Sequence, residues 1–144
     1  MAADSGDSSG NGIFWFLGFV VLLMCVGTPL YVVYRNHTDK AAKEGMTVAA
    51  TAYLDALREG KYDAAYQWVC GSERKKYTLD KWRPRHDHPA VTGYRIVKPR
   101  VEDVNDAGTL YYVDTEITYA DGETVPKTLF LSDERAGWRV CYTG

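Results

Sequence analysis

Hydrophobic and polar positions divide the chain into three regimes. Residues 2–12 carry no large apolar side chain and are rich in Ser, Gly and Asp. Such a stretch cannot offset its own ordering entropy, so 1–12 is expected to be a disordered tail. From Ile13 to Tyr34 the pattern inverts: no residue is charged, and Val, Leu, Phe and Ile dominate over a length that crosses the hydrocarbon core of a bilayer. Residues 13–34 therefore read as a transmembrane helix. Phe14, Trp15 and Phe16 at one end and Tyr31 and Tyr34 at the other suit the two interfaces, and Pro29 sits where a kink costs least. A cleaved signal peptide would want basic residues before a shorter run and small residues at a cleavage site, and none are present. Leu22-Leu23-Met24-Cys25 lacks the small residue that a lipid-attachment box places before its cysteine, which leaves Cys25 an ordinary apolar side chain in lipid.

Residues 35–46 form a polar juxtamembrane linker or an extension of the helix, and 47–144 the folded domain. Ala49, Ala52, Tyr53, Ala56 and Leu57 repeat at helical spacing, and Gly60 suits the left-handed position that ends such a helix. Tyr62, Ala65, Tyr66 and Val69 form the apolar stripe of a second helix that Cys70 continues, with Gly71-Ser72 as its breaker. Thr78 is placed to cap a short third helix carrying Leu79 and Trp82, stopped before Pro84. From Val91 the period changes to two. Strand one runs to about Val104 with Tyr94, Ile96 and Lys98 on one side, and Pro99 marks an edge or a bulge. Asn105 to Gly108 is a turn, and Asp121-Gly122 a hairpin signal. Strand two, Thr109 to Ala120, puts Tyr111, Val113, Ile117 and Tyr119 on one face and Tyr112, Asp114, Glu116 and Thr118 on the other. Strand three carries Val125, Leu129 and Leu131 on one face, interrupted by Lys127, with Phe130 opposite. In strand four Trp138, Val140 and Tyr142 share a face and Cys141 takes the other. Helices first and a meander afterwards make an α+β domain, with two to three helices packed on one face of a curved four-stranded antiparallel sheet.

Charge adds two points. All Lys and Arg lie after Tyr34, and only Asp4 and Asp7 of the acids precede it, so the part after Tyr34 is neutral and lacks the basic footprint of a nucleic-acid binder. Arg35, Lys40 and Lys43 follow the apolar run with no basic residue before it, which by the positive-inside rule puts the domain in the cytoplasm. The cysteines point the other way. Cys70 and Cys141 are far apart, with no CxxC and no His at ligand spacing, which argues against zinc and leaves a disulfide or two free buried thiols. The disulfide is the expectation, and with it an oxidising, extracytoplasmic compartment.

A transmembrane helix, a helix ending in Gly60 followed by Tyr62-Asp63-Ala64-Ala65-Tyr66 with Cys70 at its end, a strand meander and a terminal Gly137-Trp138-Arg139-Val140-Cys141 together resemble the small membrane-anchored NTF2-like proteins of actinobacteria, the DUF4878-like and Mce-associated membrane proteins. The resemblance covers Thr47 to the end. It implies a cone in which helices pack into a strongly bent antiparallel sheet and leave a pocket at the open end, an extracytoplasmic domain, and pairing of the two matching cysteines. Lys61, where family members often have Asp, and Gly71, where they have Pro, depart from the pattern. The fold serves enzymes, binding proteins and assembly parts alike and supplies no function by itself.

Candidate chemistry is sparse. His86 and His88 alternate on an extended segment and could present two imidazoles to a metal, but between Pro84 and Pro89 they read as an exposed loop. Tyr112, Asp114 and Glu116 share a strand face; on a concave side Asp114 and Glu116 would serve as general acid and base with Tyr112 donating to a developing oxyanion, and on a solvated side all three are polar positions of a half-buried strand. No Ser-His-Asp or Cys-His arrangement and no Gly-rich phosphate loop is present, and no cofactor is expected. Arg74, Lys75, Lys76, Lys81, Arg83 and Arg85 make a basic run that reads first as a solvated surface of a charge-balanced domain, and otherwise as a patch for anionic headgroups, cell-wall polymer or a charge-complementary protein. The expectation is a single-pass membrane protein, its bilayer contact through 13–34, whose extracytoplasmic domain binds a partner protein or a small apolar ligand. An enzyme using the pocket is the alternative, and oligomer formation is left open.

Overall fold

The computed structural model describes residues 10–87, 89–104 and 108–143, with side chains at 15–25, 31–87, 89–104 and 108–141. The tail before Gly10, His88 and the turn residues 105–107 lie outside the described residues, as do the side chains of Phe14, Pro29 and Tyr142. The chain forms two compact units that divide between Thr38 and Asp39.

The first unit is one helical rod, the beginning of α1 (Gly10–Arg58). Trp15, Phe16, Leu17 and Phe19 and the run Val21 to Met24 are exposed along it, as are Tyr31 to Tyr34. Among the described residues, no helix is long and apolar enough to cross a membrane.

The second unit is α+β. Its helices are the end of α1, α2 (Tyr62–Gln67), α3 (Gly71–Lys76) and α4 (Leu79–Trp82), followed by a 3₁₀ turn, Arg83–Arg85. Four strands follow, β1 (Val91–Val104), β2 (Gly108–Tyr119), β3 (Thr124–Glu134) and β4 (Gly137–Thr143), in the order β1-β2-β3-β4 with every pair antiparallel. Each neighbour in sequence is a neighbour in the sheet, the outcome of short turns such as Asp121-Gly122, where Gly122 takes φ +87° and the Asp121 carboxylate accepts from the Glu123 N–H.

One face of the sheet is the core. Val113, Thr115 and Ile117 of β2 and Leu129 and Leu131 of β3 are buried there against Met46, Ala49, Tyr53, Leu54 and Leu57 of α1. Thr115 is buried but not orphaned, because its hydroxyl donates to the Lys127 carbonyl across the ladder at 2.9 Å. α1 ends as its glycine predicts, with Gly60 at φ +68° and Lys61 N–H returning to the Ala56 carbonyl. Tyr94 of β1 reaches back to this helix and donates to Asp55 at 2.8 Å.

Four expectations fail, each for a local reason. The second helix stops at Gln67, because Trp68 and Cys70 exchange backbone hydrogen bonds with Val140 and Val69 joins β4 as a parallel bridge. Gly71-Ser72 does not break a helix but starts one, α3, where the Gly71 N–H donates to Glu134 at 2.8 Å. A bulge between Ile96 and Lys98 advances the phase of β1 by one, so Lys98 leaves the face of Tyr94 and Ile96, and Pro99 and Val101 face the core instead. A second irregularity on β4 leaves Leu131 opposite Val140 but Phe130 opposite Tyr142, so those two β4 positions no longer share a face.

The residue skipped by that second irregularity is Cys141. It is bonded to Cys70, the two Cα atoms 4.9 Å apart and 71 residues separated in sequence. A bulge re-aims a side chain. Here it turns the last cysteine toward the segment that the backbone bonds of Cys70 and Val140 already hold against β4.

Candidate functional site

The polar triad of β2 lies on the sheet face away from the core. Arg100 grips Asp114 through two nitrogens at 2.7 and 3.1 Å, Thr128 adds a hydrogen bond at 2.9 Å, and the same guanidinium lies over the Tyr112 ring. This pairing with Arg100, with Thr128 behind it, holds the Asp114 carboxyl below the usual carboxylate range. Glu116 is gripped by Arg95 in the same two-pronged way, and Tyr112 packs edge-on against Phe130. Asp114 so paired is a poor base. The structure brings Tyr112, Asp114 and Glu116 to one face but not into any of the described cavities.

The concave chemistry is elsewhere, around Trp82. Thr78 accepts from the N–H of Trp82 through its carbonyl and opens α4 in an extended conformation, though its hydroxyl makes no capping bond. Pro84, which lacks the N–H that a helix start leaves idle, allows the 3₁₀ turn to follow directly. That continuation carries His86 back over Trp82, the two rings stacked 4.2 Å apart. Tyr53 and Tyr66 contact Trp82 from its other sides, and the Tyr66 hydroxyl fixes the neighbouring turn by donating to the Tyr77 carbonyl at 2.6 Å. His86 is thus half-buried and not the exposed loop residue that its flanking prolines suggest. Its partner in the motif, His88, lies outside the described residues. Among the described residues no group of three or more His, Cys, Asp or Glu is placed to hold a metal.

Two cavities open beside this aromatic cluster. The larger, about 400 Å³, is bounded by Tyr53, Tyr77, Trp82, Arg85, His86 and Val140, with the bonded Cys141 at its edge. The smaller, about 170 Å³, lies toward the sheet between Tyr53, Arg85, His86, Ile117, Tyr119 and Lys127. Tyr53, Arg85 and His86 line both. Burial, and then the neighbouring Arg85, pull the His86 imidazole down to about 4, against the weaker pull of Asp87, so the ring is neutral near pH 7. Burial pushes the Tyr53 and Tyr119 phenols up, so both remain donors. The described lining holds no nucleophile beside a base and no pair of carboxylates, since its one acid, Glu73, faces Lys76 at 3.6 Å.

The basic patch is not one uniform surface. Arg83 lies over Tyr62 and Arg85 over Tyr77, with 5.1 and 4.4 Å to the ring centroids, and Lys76 pairs with Glu73. Lys75 and Lys81 are exposed on α3 and α4, and Arg74 is half-buried.

The sequence reading passed over Trp82, Tyr53 and Lys127 as site residues. Two signals were present: the i, i+4 spacing of Trp82 and His86, and a lysine interrupting the apolar alternation of β3. Compared with family models, curated proteins and solved structures, the chain matches none.

Proposed function

We propose that this protein is a non-enzymatic binding module, held at a membrane by residues 13–34 and presenting an extracytoplasmic NTF2-like domain whose cavities take a small ligand. The observation that carries the binding reading is the pair of cavities around Tyr53, Arg85 and His86, lined by phenol, imidazole and cationic donors and aromatic faces, with no catalytic pair among the described lining residues. Both linings are more polar than apolar, so the ligand they suit is one that carries a polar group beside its hydrocarbon part. The NTF2-like reading is supported by helices packed on one face of a four-stranded meander with a cavity between them. Anchoring is supported by the absence of charge from 13 to 34 and by the bare apolar side chains along that part of α1. The Cys70–Cys141 bond supports an oxidising compartment, against the charges of Arg35, Lys40 and Lys43.

Two measurements on cells test the address. Alkaline extraction should leave the chain in the membrane pellet, and a membrane-impermeant maleimide with mass mapping should find Cys70 and Cys141 as one linked peptide. Recovery in the soluble fraction, or two free thiols, would remove the corresponding part. For binding, a thermal-shift screen of the full chain in detergent against small amphiphiles should find stabilising compounds whose effect is lost in Tyr53→Phe or Arg85→Leu, and a screen without hits counts against the module.

A second reading rests on Lys75 and Lys81, which make no ion pair among the described residues and stand ready for an acidic protein surface. Capture partners that survive Lys75→Glu with Lys81→Glu would exclude it.

A further inference from the structure

Lys127 is in the wrong place for a structural lysine. It occupies a position of β3 between Val125 and Leu129, opposite buried Thr115, on the face that packs against the helices. The side chain is half-buried, lines the smaller cavity, and its ammonium makes no ion pair or hydrogen bond among the described residues. An ammonium so placed has lost part of its hydration without gaining a counter-charge. Tyr53, on the opposite wall, is 2% exposed, yet its hydroxyl has no hydrogen-bond partner among the described residues. That hydroxyl is not one of the fully enclosed unpaired polar atoms, so it opens onto the cavity, where a ligand group can meet it. Two unspent donor groups therefore border one small space, and Tyr119 adds a third donor, the second phenol.

From this geometry, and resting on the reading of the cavities as a ligand site, we propose that the smaller cavity is an anion subsite for a small monocarboxylic acid. The carboxylate is taken by Lys127 with hydrogen bonds from Tyr53 and Tyr119, and the hydrocarbon end lies against Leu57, Val91 and Ile117. Charge selects the head: among the described residues no acid lines this cavity, whereas Lys127 and Arg85 do. Size selects the rest, because about 170 Å³ is room for roughly six waters, which suits an acid of a few carbons or a single ring. Three apolar walls disfavour a fully hydrated dianion such as phosphate. Arg85 and His86 separate this space from the larger cavity, which a longer tail would enter.

The test is calorimetric titration of the full chain in detergent with benzoate, butyrate, benzamide and inorganic phosphate, alongside Lys127→Met, Lys127→Arg and Tyr53→Phe. Benzoate or butyrate should bind about tenfold or more tighter than benzamide, as a charge-assisted contact requires. Lys127→Met should abolish that preference and melt higher than wild type, because a charge without a partner has been replaced by an apolar chain of similar length; Lys127→Arg should keep the preference, and Tyr53→Phe should weaken it. Benzamide binding as well as benzoate, phosphate binding better than either acid, or Lys127→Met melting lower overturns the anion subsite alone. No heat from any probe, acid or amide, overturns both the subsite and the ligand reading on which it rests.

Discussion

The indole of Trp138 occupies the notch left by Gly45: a β-carbon added at Gly45 would overlap Nε1 and Cδ1 of that ring. Trp138 is held on its other side by an edge-on contact with Tyr111, 4.8 Å between centroids, so the ring has little freedom to yield. The first residues of the second unit and the last strand are thereby fitted to one another.

Gly45→Ala should destabilise the domain. Alanine gains about 1 kcal/mol of helix propensity, but overpacking against a rigid ring costs about 1–3 kcal/mol, so a net loss of about 1 kcal/mol is expected. Thermal unfolding reads this as a fall of roughly 4–8 °C for a domain of this size. Trp138→Leu in the same chain should recover part of it, and strictly additive losses would show that the two residues are independent.

The disulfide closes a long loop between the α2–α3 junction and the final strand. Replacing Cys70 and Cys141 together by Ser should cost about 2–4 kcal/mol in the chain-entropy description. The check is unfolding of wild type with and without reductant: the reduced protein should approach the double variant, and an unchanged midpoint would contradict the role given to the bond.

Acid sensitivity should trace to His86. The unfolded chain takes up a proton near pH 6.5, whereas the folded imidazole, buried against Trp82, resists until about 4. Between those values the unfolded state binds more protons, so the contribution of this site is fully present above 6.5 and is lost as pH falls toward 4. Its size is of order 3 kcal/mol, from the difference between the two values. His86→Gln should flatten the pH dependence of stability in this window, and an NMR titration placing His86 near 6.5 would contradict it.

Asp114→Asn should leave ligand binding unchanged, since Asp114 faces away from both cavities. It should lower stability less than Gly45→Ala, because its pair with Arg100 is part-exposed to water. A large change in affinity with intact folding would return the β2 acids to the site.

Patterns that depend on neighbours in sequence were legible. The α1 stripe, the stop at Gly60, the four strands and the Asp121-Gly122 turn all follow from local propensity, and the meander needs nothing else. What failed depends on partners distant in sequence. Val69 and Cys70 continue a helical stripe by spacing, yet the open edge of β4 offers them backbone hydrogen bonds that a helix end does not. Pro99 signals the edge and the bulge that β1 has, but period-two alternation does not say that Val97 is the extra residue. For the site, His86 was singled out for metal chemistry, whereas its placement follows from Trp82 four residues earlier; Lys127 was seen only as an interruption.

The sheet's two borders bear on crowding. Along β4 the peptide groups of Val140 are occupied by Trp68 and Cys70, and β1 carries an extra residue at Val97 followed by Lys98 and Pro99. Neither margin presents a long flat run of free N–H and C=O groups from which a neighbouring copy could build a continuous sheet. Copies of the domain brought to high local concentration can therefore stand side by side without polymerising through these strands.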